Sequence, residues 1–172
     1  MLNNIKNLSL TKKLVYKIVF FIFCLIPFFS GLDSIPPLDR DESRFVQSTY
    51  QMIETNNYIN IKFLDEIRAK KPIGIYWAQS FFANIFGEDK ISSYRYVSSL
   101  GALITILILL KFSQILFGQK VSLFVVSTSM ISLLFIFESH VAKTDTLLLS
   151  FITLQQFLLL KIILNKKKSI LF

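Results

Sequence analysis

Cysteine is almost absent from the sequence, and this scarcity narrows the classes of protein to which the chain can belong. Cys24 is its only cysteine, so an intramolecular disulfide and a cysteine-based metal cluster are both excluded. The residues just before it, Phe21-Ile22-Phe23, are large, whereas a lipid-modified cysteine follows small ones. The sequence also lacks a glycine-rich phosphate loop and a nucleophile motif. Any chemistry must therefore rest on other side chains.

Acidic residues are also scarce, and the basic residues that outnumber them are not arranged for binding nucleic acid. The chain has 19 Lys and Arg against 11 Asp and Glu, which gives a net charge of +8. Most of the lysines lie at the ends of apolar segments, where basic residues orient membrane helices. Hydrophobic residues make up 53% of the chain, more than in an ordinary globular protein. We therefore predict a membrane protein that binds no nucleic acid.

Four apolar segments are long enough to cross the hydrocarbon core of a bilayer, which needs about 20 residues. They are predicted at residues 14–32, 96–117, 121–137 and 146–164. A transporter would place charged or broken sites within its spans, and these segments are nearly free of them. A cleaved signal peptide is the rival interpretation of the first segment, but its end lacks a small-residue cleavage site. We predict an all-α integral membrane protein with a single membrane domain over residues 1–172.

A polar loop at residues 33–95 separates the first two predicted spans, and it is too long to be a simple turn. Asp39 has the pattern of a helix N-cap, with Glu42 as its capping-box partner. Apolar residues at spacings of three and four then predict an amphipathic helix over residues 40–55. A second helix is predicted over residues 73–86, after a proline that suits its first turn. The first should lie at the membrane interface, and the second, which is short for a span, should be interfacial or re-entrant.

The distribution of basic residues predicts the orientation of the chain. A basic N-terminus and the lysines at residues 166–168 place both termini in the cytoplasm. Counting crossings from there puts the 33–95 loop outside and brings residues 138–145 to the same outer face. Asp41 and Asp145 should therefore share one membrane face although they are far apart in the sequence.

Asp41 is the first residue for which the sequence indicates chemistry. It lies in the first turn of the predicted helix 40–55, where the helix dipole favours an anion. Held ionised at the membrane surface, it could accept a proton from a substrate that arrives through the lipid. The plainer alternative for Asp41 and Glu42 is a solvated helix start. Asp145 also has two interpretations, as a functional carboxylate or only as the N-terminal anchor of the last predicted helix.

Lys71 and Arg44 are the basic residues best placed for a substrate phosphate. Lys71 precedes a proline at the predicted interface, where it could bind a lipid phosphate or extend to water as a snorkelling cation. Arg44 follows Arg40 by one turn and could act as a forked second donor. His140, close to Glu138, could be a metal ligand, but a single histidine without defined partners more often belongs to a polar loop.

Five short motifs occur in series along the chain, and together they resemble one family of membrane enzymes. They are Asp41-Glu42-Ser43-Arg44-Phe45, Lys71-Pro72-x-x-x-Tyr76-Trp77, Phe86-Gly87, Tyr94-Arg95 and Ala142-Lys143-Thr144-Asp145. In order and spacing the chain resembles the N-terminal part of a GT-C glycosyltransferase over most of its length. That superfamily includes protein O-mannosyltransferases and the aminoarabinose transferase that acts on lipid A.

The resemblance implies a membrane enzyme that transfers a sugar from a polyprenyl-phosphate carrier to an acceptor hydroxyl or phosphate outside the cytoplasm. It implies that the catalytic carboxylates are Asp41, Glu42 and Asp145, and that the donor phosphate is held by Lys71 and Arg44. Between the two adjacent carboxylates, the predicted cap assigns Glu42 to a structural bond toward Asp39. Asp41 is then left free to act as the base.

The resemblance also implies partners and a location. The expected partners are a lipid-linked sugar donor, a lipid or protein acceptor and the membrane, which we predict to be a bacterial cytoplasmic (inner) membrane. Lys70 stands where the aminoarabinose-transferase branch often has an acidic residue, so a metal-binding role proposed for that position does not apply to this chain. No cofactor is predicted with certainty, and a divalent cation is possible. Family members have many more helices, so the chain is expected to be incomplete, with a second chain as one source of the missing helices. The alternative function is a non-catalytic membrane subunit or a truncated remnant of such an enzyme.

Overall fold

The computed structural model of the protein describes residues 25–170 and four residues before them, Val15, Val19, Ile22 and Phe23. Side chains are described as far as Asn165. The helices in this part of the chain are α1 (Arg40–Glu54), α2 (Gly74–Phe86), α3 (Ile91–Met130), α4 (Leu133–Ser139) and α5 (Asp145–Ile170), and the strands are β1 (Lys62–Phe63) and β2 (Glu66–Ile67). Residues 25–29 are also helical. They belong to the predicted first span, residues 14–32, part of which lies outside the described residues.

α1 begins directly after the predicted N-cap. The side chain of Asp39 accepts a hydrogen bond from the backbone N–H of Asp41 at 3.1 Å, which satisfies one of the free donors at the helix start. Phe45 and other apolar residues of α1 face inward and pack against α2. After the helix, Asn56 has a φ of 52°, a left-handed conformation that Asn tolerates. The bounds of α1 lie within one residue of the predicted 40–55.

β1 and β2 form a short antiparallel hairpin in which Phe63 pairs with Glu66. The side-chain amide of Gln51, on α1, donates a hydrogen bond to the carbonyl oxygen of Leu64 at 2.8 Å and so holds the turn of the hairpin against α1. The chain is mostly helical, but the all-α prediction did not include this hairpin. Strands of two residues are too short to show an alternating pattern in the sequence, so only the packing of the loop against α1 reveals them.

α3 is a helical hairpin rather than one straight helix. Gly118 breaks it with φ 80° and ψ 177°, a conformation that glycine adopts without a side-chain clash. Ile106 and Val126 lie on opposite sides of this break and pack in one buried cluster. In a straight helix they would be about 30 Å apart. The arms at residues 91–117 and 119–130 therefore fold back on each other between the predicted segments 96–117 and 121–137.

The apolar segment at residues 121–137, predicted as the third span, is divided between two helices. The second arm of α3 ends at Met130, and α4 begins only at Leu133, after an extended Ser132 with ψ 118°. A hydropathy pattern registers apolar residues and not a backbone break, so the sequence does not show this division. Among the described residues, Ile91–Met130 and Asp145–Asn165 are long and apolar enough to cross a membrane. The count of four spans stays a prediction.

α3 and α5 approach closely at Gly101. A Cβ atom there would lie 2.8 Å from backbone atoms at the start of α5, so only glycine fits without a shift. Nearby, the hydroxyl of Ser98 donates to the carbonyl oxygen of Lys143 at 3.2 Å, and the hydroxyl of Ser99 donates to that of Ser139 at 3.1 Å. These contacts fix the connection between α4 and α5 against the first arm of α3.

Candidate active site

Asp41 lies in the first turn of α1 with its carboxylate at the surface. The Asp41 side chain is 49% exposed, so it is accessible to a substrate. Arg44, one turn further along the helix, places Nη1 3.6 Å from Oδ1 of Asp41. The capping bond is made by the Asp41 backbone N–H and leaves its side chain free. This carboxylate therefore combines exposure with a neighbouring cation.

Glu42 has the opposite environment, because its side chain is fully buried. Its Oε1 accepts hydrogen bonds from Nε of Arg95 at 2.7 Å and from the backbone N–H of Ala142 at 2.9 Å. Its Oε2 accepts from Nη2 of Arg95 at 3.1 Å and from the backbone N–H of Leu38 at 3.2 Å. The alternative interpretation, in which Glu42 belongs to a solvated helix start, is therefore wrong. Its bond back along the chain reaches Leu38 rather than Asp39, because the carboxylate is held by Arg95.

Arg95 is the second member of this buried pair and was not predicted as a functional residue. Its guanidinium also donates from Nη1 to the carbonyl oxygens of Leu32 at 2.6 Å and Ile35 at 2.7 Å, and from Nη2 to that of Pro36 at 3.3 Å. The pair thus joins α3, the start of α1 and the loop that precedes α1. A signal was present in the sequence, since an arginine at the start of an apolar helix requires a partner.

Three cations gather around two aromatic rings on the other side of α1, and we call them the basic cluster: Arg44, Arg68 and Lys71. Arg44 lies over the ring of Phe63, with Cζ 6.0 Å from its centroid. Lys71 lies over the ring of Phe45, with Nζ at 5.9 Å. Arg68 lies near both rings, with Cζ 5.2 Å from Phe45 and 5.9 Å from Phe63. The sequence predicted Lys71 and Arg44 here, and the structure adds Arg68.

Tyr76 is hydrogen-bonded to Arg68, one member of the basic cluster. It is fully buried in α2, and its hydroxyl accepts a hydrogen bond from Nε of Arg68 at 2.8 Å. Burial raises the pKa of Tyr76 by more than the charge and hydrogen bond of Arg68 lower it, so the phenol stays neutral at physiological pH. Tyr76 therefore orients the Arg68 guanidinium without neutralising its charge.

Asp145 is the exposed first residue of α5, on a segment that packs against the start of α1. An ion pair joins Lys143 to Asp39, and the hydrogen bond of this pair lowers the pKa of Asp39. Burial lowers the pKa of Lys143, but Asp39, Glu138 and Asp145 together raise it overall. The structure therefore brings together the chain segments that carry Asp41 and Asp145. No hydrogen bond or ion pair connects these two described carboxylates directly.

His140 makes hydrogen-bond contacts with backbone oxygens. Its Nδ1 lies 2.8 Å from the carbonyl oxygen of Ile136, and its Nε2 lies 3.0 Å from that of Ser30. The Ser139 hydroxyl lies 3.0 Å from Nδ1 as well, so both ring nitrogens face hydrogen-bond partners within the chain, whereas a metal ligand needs one nitrogen with a free lone pair. In the part of the chain that the structure describes, no three His, Cys, Asp or Glu side chains come together in a way that could hold a metal ion.

Comparisons with known proteins relate this arrangement to sugar transferases. The profile of the dolichyl-phosphate-mannose-protein mannosyltransferase family matches residues 70–172. Two curated relatives are the undecaprenyl phosphate-alpha-4-amino-4-deoxy-L-arabinose arabinosyl transferases of Aeromonas hydrophila and Aeromonas salmonicida, which are 27% and 26% identical to this chain over 118 residues. Each alignment covers 69% of this chain and 21% of the relative. The chain thus spans about a fifth of the length of these relatives.

Two solved structures share the fold, both of ArnT from Cupriavidus metallidurans. The form bound to undecaprenyl phosphate has a TM-score of 0.72 and 19% identity, over 79% of this chain and 25% of that one. The apo form has a TM-score of 0.69 and 19% identity, over 82% and 26%. The predicted resemblance to GT-C glycosyltransferases is confirmed by the family profile, the curated relatives and these structures together. Because the family profile covers more than half of the sequence, the chain belongs to the dolichyl-phosphate-mannose-protein mannosyltransferase family.

Proposed function

We propose that this chain forms the donor-binding and acid–base part of a membrane glycosyltransferase. In this proposal a sugar moves from a polyprenyl-phosphate-linked donor to an acceptor hydroxyl or phosphate. The observation that carries it is the position of Asp41, an exposed carboxylate whose neighbour Arg44 belongs to the basic cluster. Sugar transfer from a lipid phosphate needs a base for the acceptor and cations for the leaving phosphate, and here the two lie side by side.

The proposed reaction uses these groups in one displacement. The acceptor oxygen attacks the anomeric carbon of the sugar and loses its proton to the carboxylate of Asp41. The bond between the anomeric carbon and the phosphate oxygen breaks, and its electron pair stays on the phosphate. Lys71 and Arg44 bind that phosphate and stabilise the charge that grows on it.

Glu42 and Asp145 have different roles in this proposal. Glu42 is buried against Arg95 and has no access to a substrate, so we assign it to holding the first turn of α1 and thereby the backbone of Asp41. Asp145 is exposed on the neighbouring segment, where it would face the acceptor. Neither role needs a metal ion.

The proposed setting is the outer face of a bacterial cytoplasmic membrane, with four spans and both termini in the cytoplasm. Exposed aromatic residues on α2, Trp77 at 50% and Phe81 at 61%, form a face that suits the membrane interface. The exposed apolar side chains of α5 suit contact with lipid or with further helices. A second chain that supplies such helices is part of the proposal.

Binding of undecaprenyl phosphate to the purified full chain in detergent tests the donor site. We expect Lys71→Ala to weaken binding about ten- to a hundredfold, because a hydrogen bond to a charged group contributes about 1.5 to 3 kcal/mol. Lys120→Ala, an exposed lysine beside the α3 turn, is the matched control and should bind as the wild type does. Equal binding by the wild type and Lys71→Ala would show that Lys71 does not bind the donor phosphate.

Sugar release from a polyprenyl-phosphate donor tests the transfer itself, with the chain alone or with a chain that completes it. Asp41→Asn keeps the size of the side chain and removes the base. It should slow the chemical step by about 10²-fold or more while donor affinity changes little. Donor binding without any release by the wild type would favour the non-catalytic subunit. Full turnover by Asp41→Asn would show that another group is the base.

A further inference from the structure

Arg68 is the central member of the basic cluster. It shares the Phe45 ring with Lys71 and the Phe63 ring with Arg44, so it lies between the other two cations. Each ring attracts a cation through its electron-rich face, and two rings hold the guanidinium from two directions. Arg68 is therefore the one cation of the basic cluster that neighbours both of the others across a shared ring.

The orientation of Arg68 leaves most of its donors free. A guanidinium carries five N–H donors, and Arg68 uses only Nε, which donates to Tyr76. Its Nη1 and Nη2 groups have no hydrogen-bond partner among the described residues. Because the rings and Tyr76 already hold the group, binding of an anion would cost it little conformational freedom.

The charges of the basic cluster are only partly balanced. Arg44 pairs with Asp41 at 3.6 Å. Within the described part of the chain, no carboxylate lies within 4 Å of the charged nitrogens of Arg68 or Lys71. Two positive charges are therefore left without a counter-charge at one place. They are complementary to a group with two negative charges.

Sugar transfer from a lipid phosphate creates such a group. The donor is a phosphodiester with one negative charge. When the bond between the anomeric carbon and the phosphate oxygen breaks, the lipid is left as a phosphate monoester, whose second pKa of about 6 gives it nearly two negative charges at neutral pH. An interaction that strengthens as this charge appears stabilises the transition state more than the bound donor.

We infer that Arg68, together with Lys71, binds the donor phosphate and stabilises the second negative charge that appears on it as the sugar leaves. This inference rests on the proposed function and deepens it by assigning the growing charge to a particular residue. Tyr76 is a positioning residue for Arg68, since it is buried, packs against the ring of Phe45 and accepts the hydrogen bond from Nε of Arg68.

The test compares two lipids on the purified full chain at pH 7.5: undecaprenyl phosphate, which is a dianion, and its methyl ester, which is a monoanion. The wild type should prefer the dianion. Arg68→Gln should reduce affinity for the dianion about tenfold or more and change affinity for the methyl ester much less. Lys62→Gln is the matched control, because Lys62 is exposed and precedes Phe63 on β1, so its side chain points to the other face of the hairpin.

Each outcome supports or overturns the inference. If Arg68→Gln kept the preference of the wild type for the dianion, or lost affinity equally for both lipids, the role of Arg68 would be overturned while the proposed function would not. Binding of neither lipid by the wild type would overturn the proposed function as well. Arg68→Lys keeps the positive charge and should retain part of the preference for the dianion. This variant therefore tests the role of Arg68 even if Arg68→Gln does not fold. The wild type supplies a measurement without any variant, because its preference should disappear at pH 5, where both lipids carry one charge.

Discussion

Asp41 and Glu42 are adjacent in the sequence and have opposite surroundings. The side chain of Asp41 is half exposed beside Arg44, while that of Glu42 is completely buried against Arg95. Successive residues of a helix point about 100° apart, so one faces the surface and the other faces α3. The helix geometry therefore explains why Asp41 is accessible and Glu42 is structural. The partner of Glu42, Arg95, is far away in the sequence.

Glu42→Gln should destabilise the protein by about 3 kcal/mol or more. A capping contact alone would contribute about 1 kcal/mol, but removing one partner of a buried ion pair leaves the other charge uncompensated, which costs about 3 to 5 kcal/mol. Denaturant unfolding measures the change. The double variant Glu42→Gln with Arg95→Met should lose less than the sum of the two single variants, since it leaves no unpaired charge. A loss near 1 kcal/mol for Glu42→Gln would show that the ion pair contributes little.

At the scale of elements, the contact of α3 with α5 depends on one small residue. Gly101→Ala would place a methyl group 2.8 Å from backbone atoms of α5, and backbone cannot move aside as a side chain can. We expect a loss of about 1 to 3 kcal/mol in the free energy of unfolding, the usual range for overpacking. Gly74→Ala is the control, since a Cβ there has no heavy atom within 4 Å and alanine favours a helix. Equal effects of the two variants would contradict the close approach.

The connection between α1 and the segment before α5 should depend on pH through Asp39 and Lys143. The pKa of Asp39 is lowered in the folded state, so its contribution to stability is present above the ordinary Asp pKa and is lost as the pH falls through the lowered value. The pKa of Lys143 is raised, so its contribution is lost only as the pH rises through that raised value. Lys143→Met should therefore weaken the acid dependence of the denaturation midpoint below the ordinary Asp pKa of about 4. Lys120→Met should leave that dependence as it is in the wild type.

At the scale of the whole molecule, the described elements divide into shorter elements, which are predicted to lie at the membrane interface, and two long apolar helices. α1, α2 and the short hairpin lie between the predicted first span and α3, while α3 and α5 are the apolar helices long enough to cross. Arg95 and the start of α5 connect the two parts at one end of α3. The candidate active site lies beside this junction.

Cysteine labelling tests the predicted orientation. With Cys24 replaced, single cysteines at Ser43 and Thr144 should react with a membrane-impermeant reagent in intact cells, because both are predicted to lie outside. A cysteine at Gln119, beside the turn of α3, should react only after the membrane is opened. Labelling of Gln119 in intact cells, or protection of only one of the other two positions, would contradict the predicted topology.

The sequence by itself determined the features that depend on local chemistry. The cap at Asp39 acts on the nearest backbone, and the lengths of the apolar segments, with the gap between 117 and 121, act on the surrounding solvent, so both can be identified without knowing the fold. Lys71 and Arg44 were predicted as phosphate ligands from their positions and from the resemblance, and the structure adds the rings beside them.

Only the tertiary structure decided which distant residues meet. It paired Glu42 with Arg95, placed Arg68 between Phe45 and Phe63, and divided the segment at residues 121–137 between two helices. None of these leaves a periodic signal in the sequence. The physical reason is that a buried charge and a ring contact gain their energy from groups brought together by packing, and that packing exists only once the helices have assembled.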